Sequence, residues 1–191
     1  AEQILAIKPD LVIVQENSNT AFIQSLKDVG LKVYITKIPT TLDMVRKRII
    51  KLSEAVNEKK QGSIVIKELD KKTTFVKEVT DTIPVSEKKI LMGYSLLGVF
   101  GSAEGLFNDI CINSGVTNGA ALACLVRGEH LSKEKILEVD PDVLMFSDYS
   151  STQEGDTVLF RKEVLSDPAL QSIKAIKNNN IIIIKDRYSC L

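Results

Sequence analysis

Glu2-Gln-Ile-Leu-Ala-Ile-Lys-Pro-Asp-Leu-Val-Ile-Val14 returns later in the chain as Glu134-Lys-Ile-Leu-Glu-Val-Asp-Pro-Asp-Val-Leu-Met-Phe146. Glu2/Glu134, Ile4/Ile136, Leu5/Leu137, Pro9/Pro141 and Asp10/Asp142 coincide. Each copy reads as a short helix, a Pro-Asp stop and a continuous apolar run. Proline cannot continue a helix and pushes the residue before it toward extended geometry. Apolar residues without alternation predict a strand covered on both faces, as in a parallel sheet. The copies lie too far apart for a solenoid repeat, whose period is about 20–50 residues. They predict an α/β protein of two lobes built alike, with mainly parallel sheets flanked by helices.

Working outward from the first copy, Gln15-Glu16-Asn17-Ser18-Asn19 is a polar loop of turn formers. Asn19 caps a predicted helix carrying Phe22, Ile23, Leu26 and Val29, which Gly30 ends before a strand at Leu31–Ile35. Thr40, with Asp43 three residues on, predicts the next helix start, and Leu42, Val45, Ile49, Leu52 and Val56 form its apolar stripe. Residues 58–82 predict a long Lys/Glu-rich helix, wet on most sides, with a seam of Val65, Leu69, Val76, Val79 and Ile83 and a stop at Pro84. Its place between the two copies makes it a stiff connector. The domain reading is therefore a partial first lobe at 1–57, the connecting helix at 58–84 and a second lobe at 85–191.

The second lobe opens on a strand at Lys89–Tyr94. The glycines of Gly98-Val-Phe-Gly-Ser-Ala-Glu-Gly105 fit neither G-x-G-x-x-G nor G-x-x-x-x-G-K-[ST], so they do not support nucleotide binding. Leu106, Phe107, Ile110 and Cys111 predict a short helix, 116–130 a loop, and Ser132 a cap for the second copy. Beyond the strand at Val143–Phe146 lies a polar loop through Thr152. Asp167-Pro168 predicts a helix start with Leu170, Ile173 and Ile176 facing inward. Ile181–Ile184 reads as a buried strand.

Composition sets outer bounds. A 44% hydrophobic and 26% charged chain can bury a core. Its 25 basic and 25 acidic residues leave no basic excess for nucleic acid. No apolar run reaches the ~18–20 residues of a membrane span, and no basic stretch precedes an apolar core at the start. The chain opens inside a helix–strand unit, which predicts a truncated or processed start. Cys111, Cys124 and Cys190 make no Cys-x-x-Cys and are odd in number, so they give neither a disulfide framework nor a zinc knuckle. Cys111 fits an apolar helix face as a free thiol; a Cys111–Cys124 bridge stays open beside it. His130 is the single histidine, so one chain cannot assemble a several-imidazole metal site. No serine elbow or His–Cys pairing points to catalysis. A doubly wound enzyme, or a metallocluster-assembly relative of this fold, is the alternative reading.

The ordered set of segments resembles the substrate-binding proteins of ABC importers for iron-siderophore, haem and cobalamin. It comprises Glu2-x-Ile-Leu-x-x-Lys-Pro-Asp-Leu-Val-Ile, Leu26-x-x-x-Gly30-Leu-x-Val33, the charged helix after Asn57 and Phe107-x-x-x-Cys111-x-x-x-Gly115-Val-x-Asn118. The second Pro-Asp copy and Asp167-Pro-x-Leu-x-x-Ile-x-Ala175 complete it. The family carries a further strand–helix–strand region before the first copy and a terminal helix, neither of which this sequence contains. The resemblance thus implies a fragment, a proteolytic core or a protomer completed by a partner strand, and otherwise a monomer.

The resemblance implies an extracytoplasmic protein, periplasmic or a cell-surface lipoprotein. It would hold an iron chelate between its lobes, a ferric siderophore first and haem or cobalamin next, and deliver it to a membrane permease. It needs no cofactor or resident metal and binds no nucleic acid. Ligands of doubly wound sheets sit beyond the strands' carboxyl ends. That rule selects Gln15–Asn17, Thr36–Pro39, Tyr94–Leu96, Ser147–Tyr149 and Lys185–Tyr188. Tyr94, Tyr149, Arg187 and Tyr188 are the leading contacts, with Gln15, Asn17 and Lys185 beside them. A tyrosine offers a flat apolar ring with a polar tip, and an arginine pairs bidentately with carboxylates. Glu2 and Glu134 are the residues that would dock on permease arginines; in the first turn of a helix each also complements the helix dipole.

Overall fold

The computed structural model describes residues 2–95, 98–126, 129, 131–148 and 154–185, with backbone alone at 95, 98–100, 148 and 154–156. It divides into two compact units, Ala1–Lys71 and Lys72–Leu191. Both are α/β with parallel strands flanked by helices, and one unbroken helix passes from the first to the second. None of the described helices is long and apolar enough to cross a membrane.

The first unit runs α1 (Glu2–Ile7), β1 (Val12–Gln15), α2 (Thr20–Asp28), β2 (Val33–Thr36), α3 (Leu42–Ala55) and the start of α4 (Lys59–Thr80). β1 and β2 pair in parallel from Val12↔Val33 to Gln15↔Thr36. α2 makes the crossover. Asn19 caps it by accepting the Phe22 N–H at 3.0 Å, and Ile23 and Leu26 are its buried residues. The expectation of a doubly covered β1 fails: Ile13 is 44% and Ile35 46% exposed. Given the register, they lie on opposite faces, and two strands make a sheet too narrow to be roofed on both.

Thr41, and not Thr40, caps α3. Its side chain accepts the Met44 N–H at 3.2 Å from an extended backbone, while the Thr40 hydroxyl turns to the Met44 sulfur at 3.4 Å. A cap oxygen accepts an N–H two or three residues on, and the Thr41 hydroxyl is the one placed to reach Met44, three residues on. The α3 stripe is half-buried from Leu42 to Leu52 and exposed at Val56.

α4 is long and wet, as expected, but rotated from the expected seam. Gly62, Ile66, Leu69, Thr73, Val76 and Thr80 face inward, whereas Val65, Val79 and Ile83 are exposed. Gly62 explains the rotation: a Cβ there would lie 2.5 Å from Ser53 Cβ, so only glycine admits α3 this closely. Arg46 and Asp70 then pair at 2.6 Å along the same two helices.

The second unit continues from α4 through a 3-10 turn (Val85–Glu87) to β3 (Ile90–Ser95), β4 (Gly98–Phe100), α5 (Leu106–Asn113), β5 (Thr117–Asn118) and α6 (Gly119–Leu122). Next come α7 (Lys133–Val139), β6 (Val143–Asp148), α8 (Glu154–Ser166), a 3-10 turn (Pro168–Leu170), α9 (Lys174–Lys177) and β7 (Ile181–Lys185). The strand order is β4-β3-β6-β7, with β3, β6 and β7 parallel. β4 folds back antiparallel on the end of β3, and β5 pairs with its beginning.

β6 is covered on both faces, as its apolar run predicts. Leu144 and Phe146 pack with Met92, Ile136, Leu170 and Ile173 on one side; Met145 packs with Phe107 and Cys111 on the other. β7 does not match the same expectation, for Ile182 and Ile183 are 45% and 50% exposed. It pairs only with β6 among the described strands, and an edge strand has fewer neighbours to cover it.

Two further expectations are corrected, and one helix lies where none was read. The 116–130 segment contains β5 and α6, elements too short to show a period. Asn118 organises them: its carbonyl accepts the Ala120 N–H at 3.1 Å, and its amide donates to Asn108 Oδ1 at 3.2 Å and to the Gly101 carbonyl. The stretch before Asp167 contains α8, with Val164 buried but Val158 and Leu159 exposed, so its apolar residues spread around the helix. Asp167 does cap, accepting the Ala169 N–H at 2.9 Å, but it opens a 3-10 turn, and α9 is a separate four-residue helix beyond it. The break falls where Lys174 N–H reaches Asp140 and Ala175 N–H reaches the Pro141 carbonyl, both at 2.9 Å. Cys111 and Cys124 are both free thiols, the first buried and the second exposed, so no bridge joins them.

Candidate functional site

The carboxyl ends of the parallel strands carry the candidate residues in each unit. In the first unit, Gln15 ends β1, and Asn17 stands in the next turn; both are exposed. Glu16, between them, was not singled out from sequence. Its N–H donates to the Thr36 carbonyl at 2.9 Å and its carboxylate accepts the Ile38 N–H at 3.0 Å, so it clamps the loop after β1 to the loop after β2. Its polar neighbours in sequence hide that role, because the partner is 22 residues away.

In the second unit, Tyr94 sits near the end of β3, opposite Phe146. Its ring meets Phe160 edge-on at 4.9 Å and Phe146 at 6.2 Å. Burial pushes its hydroxyl above the usual tyrosine range, the Lys133 ammonium opposes this and the Asp167 carboxylate adds to it. Tyr94 is therefore a neutral, anchored ring at this sheet end. Lys185 ends β7 beside Asp148 in register and is exposed. Tyr149, Arg187, Tyr188, Cys190 and His130 lie outside the described residues.

Ser147 opens the Ser147–Tyr149 stretch that the strand-end rule selects, though Tyr149 alone was named from it as a contact. It is 7% exposed, and its Oγ has no hydrogen-bond partner among the described residues. A buried hydroxyl without a partner costs free energy, so its place at the carboxyl end of β6 marks a spot where a polar group is wanted. The signals in the sequence are its place at a strand's carboxyl end and the change from an apolar run to serine after Phe146.

The repeated glutamates stand apart from these groups. Glu2 is exposed in the first turn of α1. Glu134 is exposed in the first turn of α7, where Ser132 caps by accepting the Lys135 N–H at 3.3 Å. Its own backbone N–H, then the Ser132 hydroxyl, hold its carboxyl below the usual range. The lysines on either side are engaged elsewhere: Lys133 pairs with Asp167, and Lys135 with Glu138 at 3.1 Å. Glu134 thus presents an anion to solvent.

Among the described residues no three His, Cys, Asp or Glu side chains gather to hold a metal ion. Burial pushes the Cys111 thiol up to about 12, which leaves it protonated and unreactive. The arrangement offers aromatic, hydroxyl and ammonium groups for holding a ligand.

A family model described as periplasmic binding protein matches residues 1–188. The ferric-anguibactin-binding protein FatB of Vibrio anguillarum is 25% identical over 96% of this chain and 58% of its own length. The molybdate-binding protein MolA of Haemophilus influenzae is 22% identical over 97% of the chain and 56% of its own. The chain therefore spans somewhat more than half the length of these relatives. The apo structure of the periplasmic heme-binding protein RhuT from Roseiflexus sp. RS-1 superposes with a TM-score of 0.83 at 23% identity. It covers 98% of this chain and 71% of that one, a likeness that shows the fold. On the match of its family model along nearly its whole length, the chain belongs to the periplasmic binding protein family, a family of extracytoplasmic proteins.

Proposed function

We propose that the chain is part of the substrate-binding component of an ABC importer that takes up an iron chelate, a ferric siderophore before haem or cobalamin, and hands it to a membrane permease. The observation that carries this reading is the likeness to a ferric-anguibactin-binding protein along 96% of the chain. Tyr94, Ser147 and Lys185 support it from the end of the second sheet, with Gln15 and Asn17 at the corresponding end of the first. Tyr149, Arg187 and Tyr188, which come after β6 and β7 in sequence, belong to the same proposal. An anchored aromatic ring suits the flat apolar body of a chelate, and cationic side chains suit its carboxylates.

Four tyrosines and no tryptophan make intrinsic tyrosine fluorescence the reporter. Titration with a ferric siderophore, haemin, cobalamin and molybdate should give saturable quenching by an iron chelate without turnover. Quenching by molybdate alone would replace the iron chelate with an oxyanion, and turnover of any of these compounds would overturn the transport reading.

Glu2 and Glu134 are proposed as the contacts with the permease. They occupy equivalent places in the repeated stretch, both are exposed, and complementary charge orients such encounters. Reversal of both to Lys in the protein paired with its permease should abolish productive docking while leaving ligand quenching intact. Unchanged transport in that variant would remove docking from the reading.

A further inference from the structure

A groove of about 370 Å3 lies in the first unit between the end of β2 and one face of α3. That volume is within the ~300–1,000 Å3 of small-molecule sites. Met44, Lys47, Arg48 and Lys51 line it from α3 at the i, i+3, i+4 and i+7 spacing of a single helix face; Tyr34 and Lys37 line it from the β2 side. Four of its side chains are cationic and none is acidic. Lys47 is held by Asp43 at 2.6 Å, but Lys37, Arg48 and Lys51 have no acidic partner among the described residues.

Arg48 is the informative member, because it is half-buried. A guanidinium cannot lose its proton, so partial desolvation without a counter-charge is unfavourable and an incoming anion would relieve it. The like charges at 47, 48 and 51 also repel one another across adjacent turns of α3. Met44 gives the groove an apolar wall and Tyr34 brings a phenol to its lining. A flat array of basic residues would suit a lipid surface; a recess with an apolar wall suits a compact molecule.

We propose that this groove binds a small organic polyanion, a molecule with two or more carboxylate or other anionic oxygen groups on an apolar body. The groove shares Thr36, Lys37 and Pro39 with the loop after β2. The inference therefore deepens the proposed function and rests on it for the biological ligand, an anionic metal chelate, while the site is tested without one.

The test uses the whole 191-residue chain, 15N-labelled, with citrate as the probe at fixed ionic strength. Saturable shifts should appear at Tyr34–Lys37 and Met44–Lys51 and be absent from the second unit. Arg48→Gln with Lys51→Gln should weaken citrate binding ~10-fold or more, since each removed cation deletes a charge-assisted contact. Asp43→Asn frees the Lys47 ammonium and should tighten binding, a gain that damage to the fold would not give. Equal citrate affinity in the double variant, no gain in Asp43→Asn, or shifts with phosphatidylglycerol vesicles and none with citrate would each overturn the inference. Metal-chelate quenching measured on the same variants separates the two readings: citrate binding without chelate binding retains the groove and rejects the transport ligand, and the converse rejects the groove.

Discussion

Removing the Asp142 side chain tests why the repeated Pro-Asp stretch begins a strand. Its carboxylate accepts the Ile90 N–H at 2.8 Å, and its own N–H donates to the Ile90 carbonyl at 3.0 Å. The two bonds lock the start of β6 to the start of β3, one residue before the ladder opens at Leu91↔Val143. Asp142→Ala deletes a bond to a charged acceptor and strands the N–H of a half-buried residue, a loss of about 1.5–3 kcal/mol. At ~2–4 °C per kcal/mol for a chain of this length, about 2 kcal/mol lowers the melting temperature by about 4–8 °C. Asp142→Asn keeps an acceptor in place and should recover more than half of the loss.

The first copy supplies an internal control. Asp10 is exposed, and its side chain has no hydrogen-bond partner among the described residues, so Asp10→Ala should stay within about 0.5 kcal/mol. Thermal melts monitored by circular dichroism, with hydrogen exchange at the Ile90 and Leu91 amides, read both variants. A loss below about 0.5 kcal/mol for Asp142→Ala, or equal losses at the two positions, would refute the clamp.

Other contacts set the remaining outcomes. Gly62→Ala gains about 1 kcal/mol of helix propensity but forces overpacking against Ser53, typically about 1–3 kcal/mol, so it should destabilise on balance. Ser53→Gly should relieve that cost in urea denaturation, and an additive double variant would contradict the close approach. The Lys174 backbone N–H, and after it the Lys174 ammonium, hold the Asp140 carboxyl below the usual range; the Lys133 ammonium, and after it the Ala169 N–H, do the same for Asp167. Their contribution is complete above that range and fades as the pH falls through the lowered values. The deficit of an Asp140→Asn, Asp167→Asn variant against the parent should therefore be greatest near neutrality and shrink below about pH 4. A deficit constant across that range would show that these hydrogen bonds and ion pairs do not favour the charged carboxylates. Alkylation with iodoacetamide at pH 8, mapped by peptide mass, should label exposed Cys124 quickly and leave buried Cys111 intact until the chain unfolds.

Legibility in the sequence tracked the range of the interactions involved. The caps at Asn19, Ser132 and Asp167 were readable because donor and acceptor lie two or three residues apart. The choice of Thr41 over Thr40 was not, since neighbouring threonines carry the same hydroxyl and only the backbone decides which one reaches Met44. Among the candidate residues, Tyr94, Lys185, Gln15 and Asn17 were selected by the rule that ligands lie at strand ends, and the structure puts each near, at or just past a strand end. Ser147 and Glu16 fall inside the selected stretches, but the burial of the one and the clamp made by the other were not read. A buried hydroxyl and a contact 22 residues distant leave no local pattern.

The sequence by itself determined the repeated Pro-Asp stretch, the parallel strands after it and the long wet helix. Each is dictated by backbone chemistry or by apolar periodicity along a few consecutive residues. Only the tertiary structure decided how much of each strand is buried. The same kind of apolar run is enclosed in β6, which has a neighbour on both edges and side chains over both faces, and half-exposed in β1 and β7, which have one neighbour each among the described strands. It also decided which face of α4 turns inward, because that depends on Gly62 meeting Ser53 in another helix. Burial is a property of neighbours, and neighbours distant in sequence exist only once the chain has folded.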